Sequence, residues 1–451
     1  MNSLMISVSG VRGIVGETLM PEIVVKFGVA FGKFVREKRV VIGSDTRTSN
    51  QMFRYALFSG LLSVGCKVID VGICPTPSIQ LMVEKLKAGG GIIITGSHNP
   101  VEWNALKFVR HDGIFLYPEE GERLLTIYKE KRIKRAAWNE IKSVYYDTSA
   151  IENHLEKLLE IVDKDNIRRK KFKVVLDACN GAASKISPLL LRRLGCKVTE
   201  INCKPDGVFP HSPEPIPSNL RELSLKVKTE KADIGFAHDA DADRIAIATE
   251  EGNVLPEDYP LLLATKFVLG GKRGLVVTNL STTSALDDIA REFKCKVMRT
   301  RIGDVNVSKC MKEHNAVIGG EGNGGVIIPQ VHYARDGMAA IALILEYITK
   351  SNKTVSALAN ELPKYYTIKG KLEFPREKFV LLESILKEEF KNYELNFLDG
   401  VKVILKEGWI HIRLSGTEPI IRIFAEAKNK EKAEELFKTG IREVEKVLVA
   451  R

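Results

Sequence analysis

A three-fold echo runs through this chain, and it limits the possible folds more than any other feature. Each of three segments opens with a β-branched run that ends in a polar turn able to start a helix: VVIGSDTRTS at 40–49, KVVLDACNGAAS at 173–184 and LVVTNLSTTS at 275–284. Each then reaches a second strand announced by Cys-Lys-Val, at Cys66, Cys196 and Cys295. A third strand follows, in GIIITGSHNP at 91–100, ADIGFAHDADADR at 232–244 and AVIGGEGNGG at 316–325. Amphipathic stretches of helical length fill the gaps. Continuous Val/Ile strands alternating with helices predict parallel strands covered on both faces, in three successive βαβα units. In such sheets ligands collect beyond the carboxyl ends of the strands, and the three chemically rich loops are all third-strand exits.

After about residue 367 the grammar changes. Short strands (KGKLEF, GVKVILK, WIHIRLS, IIRIFAEA) alternate with helical pieces, which predicts a separate α+β domain. The expected fold is therefore α/β: three tandem related domains with mixed sheets plus a C-terminal α+β domain, cut at 1–151, 152–254, 255–367 and 368–451. A chain of 451 residues is too long for one ordinary core and agrees with several units.

Composition narrows the function. No apolar run approaches the roughly 20 residues needed to cross a bilayer, and MNSLMISVSGVRG lacks the basic and apolar segments of a signal peptide. The expectation is a soluble, cytoplasmic protein with no membrane partner. The seven cysteines form no C-x-x-C pair and read as reduced thiols in or near the core. A net charge of +11 suits nucleic acid, an anionic surface or small anionic substrates. No aromatic platform is interleaved with the basic residues, so nucleic acid is not an expected partner.

Four loops carry chemistry. Asp239, Asp241 and Asp243 alternate directly after an apolar strand, and three converging hard oxygen donors suit Mg²⁺. An EF-hand loop is excluded because Arg244 stands where that loop needs glycine; a solvated acidic turn would leave three carboxylates repelling one another. TGSHNP sets Ser97 at a strand exit beside His98; alone it is ordinary turn chemistry, but Lys107 and Arg12 add positive charge suited to a phosphate dianion. RLSGTEPIIR (413–422) combines two arginines with hydroxyls and Gly-freed amides, either as a phosphate cradle without a Walker lysine or as a surface turn. GGEGNGG (319–325) offers one carboxylate able to accept from two adjacent sugar hydroxyls and does not meet the dinucleotide spacing.

Taken in order, TGSHNP, DADADR, a GE-x-N-G loop and RLSGTEP resemble the α-D-phosphohexomutase superfamily across essentially the whole chain. The resemblance implies a heart-shaped, four-domain enzyme whose last domain closes over the substrate. It implies that Ser97 is phosphorylated, that Asp239, Asp241 and Asp243 hold Mg²⁺ with that phosphate, and that Arg244 completes the loop. Arg12, His98 and Lys107 match positions around the phosphoryl group, Lys107 being the first choice for acid–base work and His98 the second. Glu321 and Asn323 lie in the sugar loop. Arg413, Ser415, Gly416, Thr417 and Arg422 match the site of the phosphate that is not transferred. The implied reaction interconverts hexose 6-phosphate and hexose 1-phosphate through a hexose 1,6-bisphosphate.

The sequence departs from the family where many members have Ser and His and this chain has Asn323 and Gly325. RLSGTEP and the turn Ile302-Gly303-Asp304 look like the phosphoglucosamine mutase branch, whereas TGSHNP looks like the phosphomannomutase/phosphoglucomutase branch. Asp304 would favour a substrate ammonium group. Glucosamine phosphate with broad tolerance is therefore the expected substrate, with phosphomannomutase/phosphoglucomutase as the alternative. A Mg-dependent sugar phosphatase and a non-catalytic binder are more remote, and monomer and homodimer both stay open.

Overall fold

The computed structural model describes residues 4–7, 10–415 and 419–449. Their strands form four sheets, and the first three repeat one four-strand unit. In each unit the opening strand (Arg39–Ser44, Lys173–Asp177, Val276–Asn279) is flanked by two parallel neighbours. One is the Cys-Lys-Val strand (Lys67–Ile73, Lys197–Ile201, Val297–Thr300); the other is the third strand (Gly90–Ile94, Ile234–His238, Ile318–Glu321). The echo in the sequence is thus an echo in topology.

A fourth strand makes the sheets mixed. Trp103–Arg110, Ile245–Thr249 and Gly325–Ile327 each run antiparallel to the third strand of their unit. The connection is too short for a parallel crossover, so the chain turns straight back. All three chemistry-bearing loops are these tight returns, which fixes them at the carboxyl ends of the parallel strands. The first sheet is extended to seven strands by Met5–Ser7 and Gly10–Ile14 on one side and Val144–Tyr146 on the other. The last sheet, Tyr366–Glu373, Ile420–Ala427, Gly408–Leu414, Val401–Leu405 and Glu394–Asn396 in spatial order, is antiparallel throughout.

Each sheet is apolar on the faces that meet helices. In the first unit Val40, Ile42, Ile92 and Ile94 pack against Phe27 and Phe31 of the helix Pro21–Phe34, with Phe31 and Phe108 rings 5.3 Å apart. That helix opens on Pro21 and closes with Lys33 in its last turn, matching the helix dipole. The second and third units share one continuous core, in which Phe236 and Ile247 join Leu261, Ile318 and Leu345. Its spine is the helix Gly337–Ser351, buried on nearly every face. Asp336 caps that helix by accepting from the N–H groups of Met338 and Ala339, at 2.9 and 3.1 Å. The cysteines are all free thiols, and no described helix is long and apolar enough to cross a membrane.

Candidate active site

The turn after Gly90–Ile94 is built over a buried arginine. Arg47 donates from Nη2 to the carbonyls of Ser97 and Asn99, at 2.8 and 2.7 Å, and from Nη1 to that of Pro100 at 2.7 Å. Its Nε lies 3.2 Å from Asp45, which also accepts from the Thr95 hydroxyl at 2.7 Å. Thr95 Oγ1 in turn accepts from the Ser97 N–H at 2.8 Å. A Cβ at residue 96 would lie 2.7 Å from the Arg47 guanidinium, so the turn needs Gly96. Gripped in this way, Ser97 adopts a left-handed φ of 49° and turns its hydroxyl to Asp239 Oδ2, at 3.2 Å. His98 Nδ1 lies 3.4 Å from the same hydroxyl. The Arg244 charge, burial and the Arg12 charge push the His98 pKa down to about 2, so its ring is neutral.

Asp239, Asp241 and Asp243 lie on the turn after Ile234–His238, each at most 1 % exposed, with one oxygen of each within 4.8 Å of the others. Burial and then the charges of Asp241 and Asp243 drive the Asp239 carboxyl well above its ordinary range. Asp241 Oδ1 and Asp243 Oδ1 are buried with no hydrogen-bond partner among the described residues. Mutually repelling carboxylates with unused buried oxygens are the donor set a hard divalent cation takes. Two neighbours from the first unit hold the loop. Thr76 donates from its hydroxyl to Asp241 Oδ2 at 2.8 Å and from its N–H to the Asp241 carbonyl at 3.0 Å. Lys107, on the return strand Trp103–Arg110, donates to Asp241 Oδ2 at 2.8 Å. Burial draws the Lys107 pKa down, but Asp241 and Asp243 outweigh it and keep the ammonium form above its ordinary value.

In the third unit, Glu321 ends its strand buried in a shell of donors. Oε1 accepts from Asn279 Nδ2 at 2.8 Å and from the Gly303 N–H at 3.0 Å; Oε2 accepts from Arg335 Nη1 at 2.7 Å. Asn323 Nδ2 lies 3.5 Å from Oε2, and its Oδ1 accepts from the Gly325 N–H at 3.3 Å. Gly303, at φ 116°, leads into the helix Asp304–Glu313. Arg335 also reaches Asp243 Oδ2 at 2.5 Å and Asp304 Oδ2 at 3.3 Å, joining the second and third units at one guanidinium.

In the last domain Arg413 and Arg422 are direct cross-strand partners. Like charges so placed repel, and an anion between them removes the repulsion. Arg413 is steadied by Asp399, 3.2 Å from its Nε, and Ser415 is buried on the same loop. Gly416 and Thr417 lie outside the described residues.

One cleft of about 940 Å³ unites these parts. Arg12, His98, Arg244, Gly303, Asp304, Glu321, Asn323, Arg335, Arg413, Ser415 and Arg422 all line it. Ser97, Lys107 and the three aspartates do not; Ser97 adjoins the lining through His98, 3.4 Å away, and Asp243 through Arg244, at 3.7 Å. Four residues central to this geometry were not singled out by sequence reasoning: Arg47, Thr76, Asn279 and Arg335. A faint signal existed for Arg47 and Asn279, which fall in the opening-strand turns SDTRTS and TNLSTTS.

A second buried cluster has a different character. His154 and His332 both direct Nε2 at Asp336 Oδ2, at 2.7 and 3.1 Å, and His154 Nδ1 meets Ser78 Oγ at 2.8 Å. With the imidazole N–H groups committed to the carboxylate that caps a helix, this cluster ties the first unit to the third.

The sequence matches all four parts of one family: the alpha/beta/alpha domains I, II and III of phosphoglucomutase/phosphomannomutase at residues 4–135, 152–252 and 256–366, and its C-terminal domain at 369–441. A phosphoglucomutase/phosphomannomutase of Thermococcus kodakarensis is 44% identical over 449 residues, covering 97% of this chain and 98% of the relative. A protein of Pyrococcus abyssi named a probable phosphoglucosamine mutase is 41% identical over 434 residues, covering 95% of each. Among solved structures, a phosphoglucomutase/phosphomannomutase family protein of Burkholderia thailandensis superposes with a TM-score of 0.86 at 27% identity, covering 99% of this chain and 98% of the other.

Proposed function

This chain belongs to the phosphoglucomutase/phosphomannomutase family and is an isomerase of the phosphohexomutase class, and from that premise we propose that it works through a phosphoserine at Ser97 and a hexose 1,6-bisphosphate. The observation that carries this reading is the Ser97 hydroxyl, held in a strained turn 3.2 Å from Asp239 and beside the acidic loop. Asp239, Asp241 and Asp243 would hold Mg²⁺, which when bound neutralises charge on the phosphoryl group in transit.

The phosphoserine Oγ–P bond breaks as the free sugar hydroxyl bonds to phosphorus and gives up its proton. The bisphosphate then turns over within the cleft. Its other phosphoryl group returns to Ser97 Oγ, and the isomeric monophosphate leaves with that oxygen reprotonated. Lys107, held on Asp241, and His98, 3.4 Å from Ser97 Oγ, are the two side chains placed to move these protons, Lys107 first. Arg413, Ser415 and Arg422 would grip the phosphate that is not reacting. A second phosphate site lining the same cleft as His98 supports a mutase over a simple phosphatase, whose substrate needs gripping only once.

The test is a coupled assay with Mg²⁺ and a trace of hexose bisphosphate, comparing the 6-phosphates of glucosamine, glucose and mannose while free phosphate is followed. Conversion to 1-phosphates without phosphate release is the expected result, and phosphate release without isomerisation would sink the reading. The family shown admits both amino and neutral sugars. The expectation of glucosamine rests partly on Asp304, whose carboxylate is already paired with Arg335.

Arg47→Lys keeps the positive charge but loses the planar fork that holds three carbonyl groups. Turnover should fall about 100-fold through misplacement of Ser97. Steady-state kinetics on protein of confirmed fold would check this, and wild-type turnover would show that the turn stands without the guanidinium.

A further inference from the structure

Arg335 is nine-tenths buried, yet it lines the cleft and reaches three carboxylates on three separate elements: the acidic loop, the start of a helix and the end of a strand. Asp304, at the start of its helix, and Glu321, at the end of its strand, both turn an oxygen to it, at 3.3 and 2.7 Å. The backbone is shaped to admit its stem: a Cβ at residue 325 would lie 2.2 Å from Arg335 Cδ and 3.0 Å from Cγ. Gly325 is therefore the space through which the guanidinium enters the sugar pocket. A lysine could not span the same three partners, since an ammonium is a point charge without a planar fork.

We propose that Arg335 is the specificity-determining residue of the sugar pocket: by occupying Asp304 and Glu321 it sets the cleft for a neutral hexose phosphate rather than one bearing an ammonium group. This inference rests on the mutase reading and adds the substrate class to it. A cationic sugar placed beside these carboxylates would have to share them with a guanidinium that cannot lose its charge, whereas a hydroxyl can use both the carboxylates and the guanidinium donors.

The experiment is a comparison of kcat/KM for glucose 6-phosphate and glucosamine 6-phosphate in the wild type, in Arg335→Gln and in Asp304→Asn. The wild type should use the glucose ester at least as well as the glucosamine ester. Arg335→Gln should lower overall rates yet shift the ratio about tenfold or more toward glucosamine, because Asp304 Oδ2 and Glu321 Oε2 lose their guanidinium partner. General damage to the fold or the acidic loop would lower the two values in parallel and leave the ratio still. Asp304→Asn should move the two values together. A tenfold selective loss of glucosamine use in Asp304→Asn, or an unmoved ratio in Arg335→Gln, overturns the inference while leaving the mutase intact. A wild type that interconverts neither ester overturns the mutase reading and this inference with it.

Discussion

Ser97→Ala should retain the fold and lose at least about 10⁴-fold in turnover. The two effects separate because of where the hydroxyl sits. The turn is held through the Ser97 carbonyl and N–H, which bind Arg47 and Thr95, and alanine keeps both. What the substitution removes is a hydroxyl contact of 3.2 Å to Asp239 and one of 3.4 Å to His98, each long enough that about 1 kcal/mol or less is at stake. The covalent step, by contrast, has no substitute. Thr95, the nearest other hydroxyl in the turn, is committed to Asp45 and the Ser97 N–H. Thermal unfolding and the coupled isomerase assay on the same preparation would test both halves. Substantial turnover in Ser97→Ala would remove the phosphoserine relay, and intact mass should show no phosphoryl adduct in that variant.

The three-fold echo was legible because strand–turn–helix grammar is local: β-branched runs and the turns that end them lie within about ten residues. The antiparallel return strands follow from the same locality, since a loop of a few residues cannot cross over. The residues that steer the site are less visible. Arg47 acts on Ser97 from 50 positions away, Arg335 on Asp243 from 92, and Thr76 on Asp241 from 165. Each belongs to an unremarkable turn in its own neighbourhood: Arg47 acquires its role when distant parts of one unit pack together, Thr76 and Arg335 when two units meet. Distance along the chain also explains Asp304, 31 positions from Arg335 within the third unit. Read alone it is an acidic side chain near a sugar loop, free to take an ammonium group; in the fold it lies against a cation that enters through Gly325. The motifs mark where chemistry is concentrated, and contacts between residues far apart in the chain set the surroundings of each motif.

Asp241→Asn should raise the Mg²⁺ concentration for half-maximal activity by on the order of 100-fold, with a smaller loss of rate at saturating metal. Asp241 serves two partners at once. Its Oδ2 accepts from Lys107 and Thr76, both at 2.8 Å, while Oδ1 is buried with no hydrogen-bond partner among the described residues. An amide keeps the shape but withdraws one of three anionic charges, and if its NH₂ turns toward Lys107 or the cation, a donor faces a positive charge. The Thr76 N–H bond to the Asp241 carbonyl does not depend on the side chain, so the loop should keep its path. The loss should therefore appear in metal affinity before it appears in fold. A titration of activity against Mg²⁺ and direct calorimetry of Mg²⁺ binding make the comparison. Parallel wild-type curves in both would remove Asp241 from the metal site, and a midpoint shifted in activity but not in calorimetry would assign it to Lys107 instead.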